Sequence, residues 1–339
     1  MVEDRAPLVS VLTPVHNGEE HLAACIDSVL AQSYDHWRYT IVDNCSSDRT
    51  AEIAAGYAAR EPRIRVQRNA ELLDIIANHG FTLRQADPAS RYAKIVFADD
   101  WLYPDCLARM VELAEAHPSV GVVGAYGLSG PKVSWDGLPP DRAVVPGKAM
   151  CRWRLRGGPY VFGTLTSLLF RTDLLPGLRA FDDPDNLQAD TDACFELLQR
   201  SDFGFVHQVL SFTRVEHETT NSAAARLRTT LAAHLDDLLK FGPACFEPDE
   251  LERLLAAHVR NYHAFLADNA LRFRGREFWR FHAERLRRAG HPLGRLRLAG
   301  LVGLKAADAL FNPKRTVENL FRSVSAGAPR PGDAPPEER

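Results

Sequence analysis

The chain has 339 residues, of which 45% are hydrophobic and 25% charged, and its formal net charge at pH 7 is −3. These proportions are ordinary for a globular protein, and a charge so close to zero does not suit a nucleic-acid binder. Since no apolar run approaches the roughly 20 residues that a membrane-spanning helix needs, the sequence also argues against a membrane-spanning protein.

The cysteines and the N-terminus indicate the compartment. Six cysteines are scattered along the chain without any C-x-x-C pair, which predicts reduced thiols and disfavours a zinc site. The N-terminus has no basic segment followed by an apolar stretch, so we expect no signal peptide. Together these features predict a cytoplasmic protein.

Strand and helix patterns alternate over the first 126 residues. Helix patterns follow four of the strand patterns, and the first of them places Leu22, Ile26, Val29 and Leu30 on one face. Strands covered by helices in this alternation predict an α/β fold with a mostly parallel sheet. The five predicted strands are 8–15, 37–44, 63–67, 93–98 and 120–126.

Polar clusters follow three of these strands. They read PVHNGEE after the first strand, VDNCSSD after the second and ADD after the fourth. In open α/β sheets, ligands bind outside the carboxyl ends of the strands. The three clusters therefore predict a ligand site at one edge of the sheet.

The remainder of the chain divides into an insertion, a helical region and a tail. Residues 127–160 are rich in Gly and Pro and are interpreted as loops, whereas helical patterns dominate beyond about residue 222. We predict a catalytic domain over 1–222, a basic helical extension over 223–324, and a disordered tail over 325–339. Between residues 272 and 315 there are twelve Lys or Arg against three Asp or Glu.

The adjacent acids Asp99 and Asp100 end the fourth strand pattern. Two neighbouring carboxylates repel each other and are costly to bury, so we expect an arginine, a helix N-terminus or a metal ion beside them. Mn²⁺ and Mg²⁺ prefer carboxylate oxygens combined with substrate phosphates. The alternative is that one acid caps the helix predicted near Pro104.

Three stretches in this order resemble the inverting family-2 glycosyltransferases with the GT-A fold. They read VSVLTPVHNGEEHLAACIDSVLAQSY, YTIVDNCSSDRTAEI and IVFADDWLYPDCLARMV, and the resemblance extends over roughly residues 7–220. It implies a GT-A-like, Rossmann-type sheet flanked by helices and followed by a C-terminal helical extension. It also implies a nucleotide-diphosphate-sugar donor, an Mn²⁺ or Mg²⁺ cofactor, and transfer with inversion.

The resemblance assigns roles to particular residues. It places Asp99 and Asp100 at the ribose and the metal-bound diphosphate, and Asp190 as the catalytic base, with Asp192 as the alternative. The alternative for Asp190 and Asp192 is that both cap the helix that begins there. His217 in SFTRVEH is a candidate contact to metal or diphosphate. The residues implied in nucleotide-sugar binding are Pro14, His16, Asn17, Glu19, Asp43, Asn78 and Asp99, and Asp43 is equally well interpreted as a loop brace.

Three departures from the family pattern keep a second hypothesis open. Asn44 and Phe97 stand where acids are frequent, and Ala189 replaces the Glu that usually precedes the base. These losses prompt the alternative of a non-catalytic nucleotide-sugar-binding protein. A sugar nucleotidyltransferase is a weaker alternative, because TPVHNGEE is not a Gly-rich, Arg-bearing phosphate loop.

The sequence says less about the acceptor than about the donor. The element AMCRW (149–153) lacks the Gln of the processive synthases and precedes Asp190, so we expect one sugar to be added per encounter. The resemblance suggests a glycan or lipid-linked acceptor in surface glycan assembly. Interleaved Arg, Phe, Trp and Leu after residue 270 suggest peripheral contact with the inner membrane face; the alternative is a helical bundle with solvated arginines.

Overall fold

The structure is a computed structural model. It describes residues 6–184, 186, 188–214, 226–270, 272, 274–294, 296 and 298–304. These residues form two compact units, one containing 6–154 and 159–214 and the other containing 155–158 and the described residues from 226 onward. The predicted domain boundaries remain a prediction.

The first unit is built on one mixed sheet. Its order is β3-β2-β1-β4-β9-β6-β10-β5, with β7 paired to β6 and β8 paired to β10. The strands are β1 (Val9–Val15), β2 (Trp37–Asp43), β3 (Ile64–Arg68), β4 (Tyr92–Ile95), β5 (Trp101–Leu102), β6 (Val120–Ser129), β7 (Lys132–Ser134), β8 (Val144–Val145), β9 (Leu168–Arg171) and β10 (Asp202–Thr213).

The parallel arrangement predicted for the first four strands is confirmed. β1 pairs in parallel with both β2 and β4, and β2 pairs in parallel with β3. Val15 at the end of β1 lies beside Asp43 at the end of β2. The three polar clusters therefore emerge from the same edge of the sheet, as the sequence predicted.

Helices cover the sheet and pack apolar side chains against it. Residues from α1 and α4 pack with β1, β2 and β6 in one buried cluster that includes Ile26, Val29, Leu107 and Met110. The helices of this part of the chain are α1 (Leu22–Leu30), α2 (Thr50–Ala58), α3 (Ile75–Leu83), α4 (Cys106–Ala116), α5 (Gly147–Leu155) and α6 (Ala189–Leu198), with 3₁₀ turns at Leu165–Ser167 and Thr172–Leu174.

One helix, α5, and five strands were not predicted; the strands are β5, β7, β8, β9 and β10. β9 lies antiparallel between β4 and β6, and its four residues are too short a run to show a period. β10 pairs in parallel with β6, but Gly204 interrupts its pattern; a Cβ there would lie 2.3 Å from Leu113 Cδ2 on α4. The interpretation of 127–160 as loops is wrong for β7, β8 and α5.

The second unit is helical where it is described. α7 (Thr230–Cys245), α8 (Pro248–Ala270) and α9 (Arg276–Arg288) enclose a small core around Leu235, Tyr262, Leu266, Phe278 and Leu286. Across the described residues of the whole chain, none of the helices has both the length and the apolar character needed to cross a bilayer.

Candidate active site

Asp100 is buried beneath the edge of the sheet. Its Oδ2 accepts a hydrogen bond from Thr166 Oγ1 at 2.6 Å and a longer one from Thr213 Oγ1 at 3.5 Å, and its Oδ1 accepts from the Arg214 backbone N–H at 3.0 Å. Burial, followed by the charge of Asp99, raises the pKa of Asp100 to about 7. Both of its oxygens are thus engaged by protein donors.

Asp99 lies beside it with a partly exposed side chain. Its carbonyl oxygen accepts a hydrogen bond from Arg214 Nε at 3.3 Å, and the Arg214 guanidinium lies 5.8 Å from the Trp101 ring. Trp101 in turn stacks on Phe212 with centroids 3.8 Å apart. Of the three groups expected beside the acid pair, an arginine is present, and its side chain donates to the backbone carbonyl of Asp99.

Asp190 stands in the first turn of α6. The helix begins at Ala189, and Gln188 at the N-cap makes no side-chain capping bond, so the capping role considered for Asp190 is not what the structure shows. Burial raises the pKa of Asp190 to about 6, while a hydrogen bond from the Leu165 backbone N–H acts in the opposite direction. A carboxyl group with this pKa is suited to accept a proton near neutral pH.

Asp192 has different surroundings although it lies only two residues further along. It is buried, and its Oδ2 accepts a hydrogen bond from Asn186 Nδ2 at 2.9 Å. The same amide group donates to the Ala180 carbonyl oxygen at 2.9 Å. Asp192 therefore braces the segment that leads into α6, and of the two acids Asp190 is the better candidate for the base.

The predicted nucleotide loop after β1 is joined to the loop after β2. Asn17, at a positive φ of 50°, donates its backbone N–H to Ser46 Oγ and accepts from the Ser47 backbone N–H. Glu19 Oε2 accepts from the Arg49 backbone N–H at 3.1 Å. His16 Nδ1 lies 2.8 Å from the Asn44 carbonyl oxygen, to which it donates. Pro14 is buried within β1 rather than in the loop.

Asp43 is fully buried at the end of β2. Its Oδ1 accepts a hydrogen bond from the Ser46 backbone N–H at 2.9 Å, as expected of a loop brace. Its Oδ2 lies 3.5 Å from Arg68 Nη1 but has no hydrogen-bond partner within the described part of the chain. The bracing role is therefore visible in the structure, while a contact to a nucleotide base stays a prediction.

Asn44 belongs to a buried cluster of amide side chains. Its Nδ2 donates to the Leu73 carbonyl oxygen at 2.8 Å, while its Oδ1 accepts from Asn69 Nδ2 and from the Leu73 backbone N–H. Asn69 Nδ2 also donates to Asn78 Oδ1 at 3.0 Å. A carboxylate at position 44 could not donate to Leu73, so this departure from the family pattern has a structural cause.

We expect Asn44→Asp to destabilise the fold. The substitution places a carboxylate oxygen against the Leu73 carbonyl oxygen and leaves a buried acceptor unpaired, which costs about 1–3 kcal/mol. Urea unfolding of both proteins at pH 7 measures the loss, with Asn261→Asp on the exposed face of α8 as the matched control. Equal midpoints for Asn44→Asp and the parent chain would contradict the donor role of this amide.

Sequence reasoning missed the residues that connect the acids. Leu165 and Thr166 lie in a short 3₁₀ turn and have no distinctive local pattern. Arg214 belongs to the stretch SFTRVEH, in which only His217 was singled out.

Phe97 is the second position at which the chain departs from the family pattern. Its ring centroid lies 4.8 Å from that of His79, and burial lowers the pKa of His79 to about 4. His217 lies outside the described residues.

The acid pair provides carboxylate oxygens, the ligand type that a hard divalent cation prefers. In the described part of the chain, no three His, Cys, Asp or Glu side chains gather into a group that could hold a metal. Mg²⁺ and Mn²⁺ are commonly bound by one or two carboxylates with the remaining ligands from phosphates and water. Asp99 has a partly exposed side chain whereas Asp100 is buried, so Asp99 is the more accessible candidate ligand of the pair.

Comparison with known proteins identifies the family. Residues 10–174 match the model of Glycosyl transferase family 2. Over 138 residues the chain is 31% identical to TuaG of Bacillus subtilis (strain 168), which is named for teichuronic acid biosynthesis; the match covers 41% of this chain and 52% of TuaG. It is 30% identical over 184 residues to the glycosyltransferase EpsE of the same organism, covering 51% of this chain and 61% of EpsE. The chain thus spans less than two thirds of either relative.

Solved structures agree on the fold. TarS of S. aureus (residues 1–349) has a TM-score of 0.59 at 15% identity, covering 87% of this chain and 83% of that one. The mannosyltransferase PcManGT of Pyrobaculum calidifontis has a TM-score of 0.51 at 20% identity, covering 92% of this chain and 83% of that one. The chain accordingly has the GT-A fold, and its residues 10–174 form a Glycosyl transferase family 2 segment.

Proposed function

We propose that this protein is an inverting, metal-dependent glycosyltransferase. It moves one sugar from a nucleotide-diphosphate-sugar donor to a hydroxyl group of a glycan or lipid-linked acceptor, in the assembly of a surface glycan. Asp190 is the general base, and Asp99, with Asp100 beside it, lies at the donor diphosphate and its metal ion. The predicted cytoplasmic location is part of this proposal.

One observation supports the proposal most directly. Neighbouring residues of a single turn serve both acidic groups: Thr166 Oγ1 donates to Asp100 at 2.6 Å, and the Leu165 backbone N–H acts on Asp190 so as to lower its pKa. The acids therefore lie around one short segment although they come from distant parts of the chain. A glycosyl transfer needs one acid near the leaving diphosphate and another near the incoming hydroxyl.

The proposed mechanism gives the two acidic groups different roles. Transfer passes through a transition state with oxocarbenium character. A bound Mn²⁺ or Mg²⁺ would neutralise negative charge that develops on the leaving diphosphate. Asp190 accepts the proton of the acceptor hydroxyl as its oxygen attacks the anomeric carbon from the face opposite the diphosphate, and this attack inverts the configuration. General-base catalysis of this kind is worth about 10²–10⁴-fold in rate.

Two of the structurally similar proteins have been solved with nucleotide sugars. TarS 1–349 has been solved with UDP-GlcNAc, at a TM-score of 0.58 to this chain, and PcManGT with GDP-Man and Mn²⁺. These ligands are known for those proteins only. For this chain they support a nucleotide sugar as the donor class, with the base and the sugar left to experiment.

Turnover is expected to fall on the acid side of about pH 6. Asp190 accepts a proton only when ionised, and its pKa of about 6 means that kcat should decrease about tenfold per pH unit below that value. Release of free sugar and nucleotide diphosphate from UDP-GlcNAc and GDP-Man, with Mn²⁺ and across pH 4.5–8.5, measures this. A profile without an acid limb would exclude Asp190 as the base.

A non-catalytic nucleotide-sugar-binding protein is the second candidate. The packing of Phe97 against His79 favours it, because an apolar ring occupies a position where the family often has an acid. A binding protein would be stabilised by a donor sugar but would release no diphosphate with Mn²⁺ under any of the conditions above. The same assay therefore separates the two functions.

The basic helical region supports the proposed membrane contact. Arg276 and Arg280 are exposed on α9 and have no ion-pair partner among the described residues. Leu296 and Leu304 are 92% and 69% exposed, and the helical residues 298–304 include no charged side chain. Exposed leucines and exposed cationic side chains in one helical region suit the surface of an anionic bilayer, where a lipid-linked acceptor would be displayed.

Vesicle sedimentation tests this contact. The full chain is expected to bind phosphatidylglycerol-containing vesicles and to release them at high salt, with little binding to pure phosphatidylcholine. Arg276→Glu combined with Arg280→Glu should abolish binding, whereas Arg253→Glu on the exposed side of α8 should not. Equal sedimentation of the double variant and the parent chain would favour the alternative of a helical bundle with solvated arginines.

A further inference from the structure

The turn at Leu165–Ser167 is held in place from several directions. Thr166 Oγ1 donates to Asp100 Oδ2 at 2.6 Å and also accepts the Phe97 backbone N–H at 3.1 Å. Ser167 Oγ lies 3.5 Å from Ser211 Oγ on β10. The turn is thus fastened both to the segment that carries the acid pair and to the strand beside it.

Lys94 supplies the most unusual of these attachments. Its side chain is fully buried on β4, and Nζ donates to the Thr166 carbonyl oxygen at 2.5 Å. Nζ also lies 3.7 Å from Met110 Sδ, a weak acceptor. A buried ammonium group is expensive to desolvate, and a methionine at this position would fill the space without that cost. Since Lys94 is inaccessible, it cannot touch a substrate.

We infer that Lys94 is a positioning residue: by holding the Thr166 carbonyl, it fixes the turn that sets Asp190 relative to the Asp99–Asp100 pair. This inference rests on the proposed function and names a residue that acts on the base through the backbone. The Thr166 hydroxyl positions Asp100, and the Leu165 N–H positions Asp190. Lys94 therefore fixes the position of the Thr166 hydroxyl relative to the Leu165 N–H.

Substitutions that loosen the turn are expected to change kcat more than the KM for the donor. A displacement of about 1 Å in a catalytic group can cost about 10²-fold in rate. We expect Lys94→Met and Thr166→Val each to lower kcat 10- to 100-fold, with a smaller change in the KM for the donor. Thr164→Val is the matched control, because Thr164 Oγ1 is buried and has no hydrogen-bond partner in the described chain.

The pH profile distinguishes positioning from simple loss of folded protein. The Leu165 N–H bond stabilises ionised Asp190, so loosening the turn should move the acid limb of kcat to higher pH. The Tyr160 phenol and the Cys194 thiol face Asp190, and both have raised pKa values that keep them neutral across this range. Asp192, on the same helix, is held by Asn186. Partial unfolding would lower the rate without shifting the limb.

The experiment compares kcat, KM and the acid limb for the parent chain, Lys94→Met, Lys94→Gln, Thr166→Val and Thr164→Val, after circular dichroism has confirmed folding. Lys94→Gln retains a donor and should recover part of the loss in Lys94→Met. If Lys94→Met does not fold, Thr166→Val still tests the turn. Unchanged kcat and acid limb in folded Lys94→Met or Thr166→Val would overturn the inference. If Asp190→Asn is inactive in that case, the proposed function stands and only the positioning role fails.

Discussion

Asp190→Asn is expected to abolish sugar transfer while leaving donor binding intact. The amide keeps the size of the side chain but cannot accept the acceptor proton, so turnover should fall by about 10²–10⁴-fold. Transfer or hydrolysis of a radiolabelled nucleotide sugar measures the first effect. The thermal shift produced by the same donor with Mn²⁺ measures the second, because a ligand that binds only the folded state stabilises it by mass action.

The stability of this variant provides an internal control. The folded-state pKa of Asp190 is raised from 3.8 to about 6, so its carboxyl group favours the folded state most below pH 3.8. That contribution is lost as the pH rises through about 6. Asp190→Asn should therefore melt at a higher temperature than the parent chain at pH 8, with a smaller difference at pH 4. Inactivity combined with increased stability cannot be attributed to unfolding.

Asp192→Asn is the matched comparison on the same helix. It alters the hydrogen bond from Asn186 and should affect stability more than chemistry. We expect its turnover to remain within about tenfold of the parent chain. If Asp190→Asn were fully active while folded Asp192→Asn was inactive, Asp192 would be the general base and Asp190 would not.

Asp99→Ala is expected to remove metal-dependent donor binding. Asp100 is buried and already accepts hydrogen bonds from Thr166 and Arg214, so we expect it to compensate little for the lost carboxylate. For the parent chain, donor at 100 times its dissociation constant should stabilise the fold by about 2.7 kcal/mol. In Asp99→Ala this gain should be nearly lost, and Mn²⁺ should make no difference to what remains.

Thermal melts with UDP-GlcNAc or GDP-Man, each with Mn²⁺ or with EDTA, make this comparison. Asp105→Asn is the control, because Asp105 is an exposed acid near the pair whose carboxylate accepts from Ser33 Oγ. It should retain the full metal-dependent shift. A full shift in Asp99→Ala would show that the acid pair does not hold the metal and would remove the central element of the proposed mechanism.

The parts of the fold that sequence analysis recovered are those with a local signature. β1, β2, β4 and α1 follow from periodicity, and the family resemblance agrees with the match to Glycosyl transferase family 2. Asp99 and Asp100 were conspicuous because two charged residues rarely end a buried strand. β9 was missed, because a run of only three apolar residues and an arginine is placed antiparallel in a sheet by strands distant in the sequence.

For the candidate site too, the sequence indicated some features and only the folded structure distinguished others. Amino-acid type and order indicated which acids to consider, yet Asp190 and Asp192 could not be distinguished, since both are aspartates at one helix start. Their surroundings differ only in the folded chain, where the Leu165 N–H contacts one and Asn186 the other. Hydrogen bonds between distant segments leave no periodic pattern in a sequence.

By itself, the sequence determined the α/β class, the edge of the sheet where polar groups collect, and the acids worth testing, because strand periodicity and burial costs act over a few neighbouring residues. Only the tertiary structure decided that Asn44 is an amide donor, that Arg214 meets the acid pair, and that buried Lys94 holds the turn between the acids. Those roles depend on distance and desolvation, which exist only once remote segments have packed together.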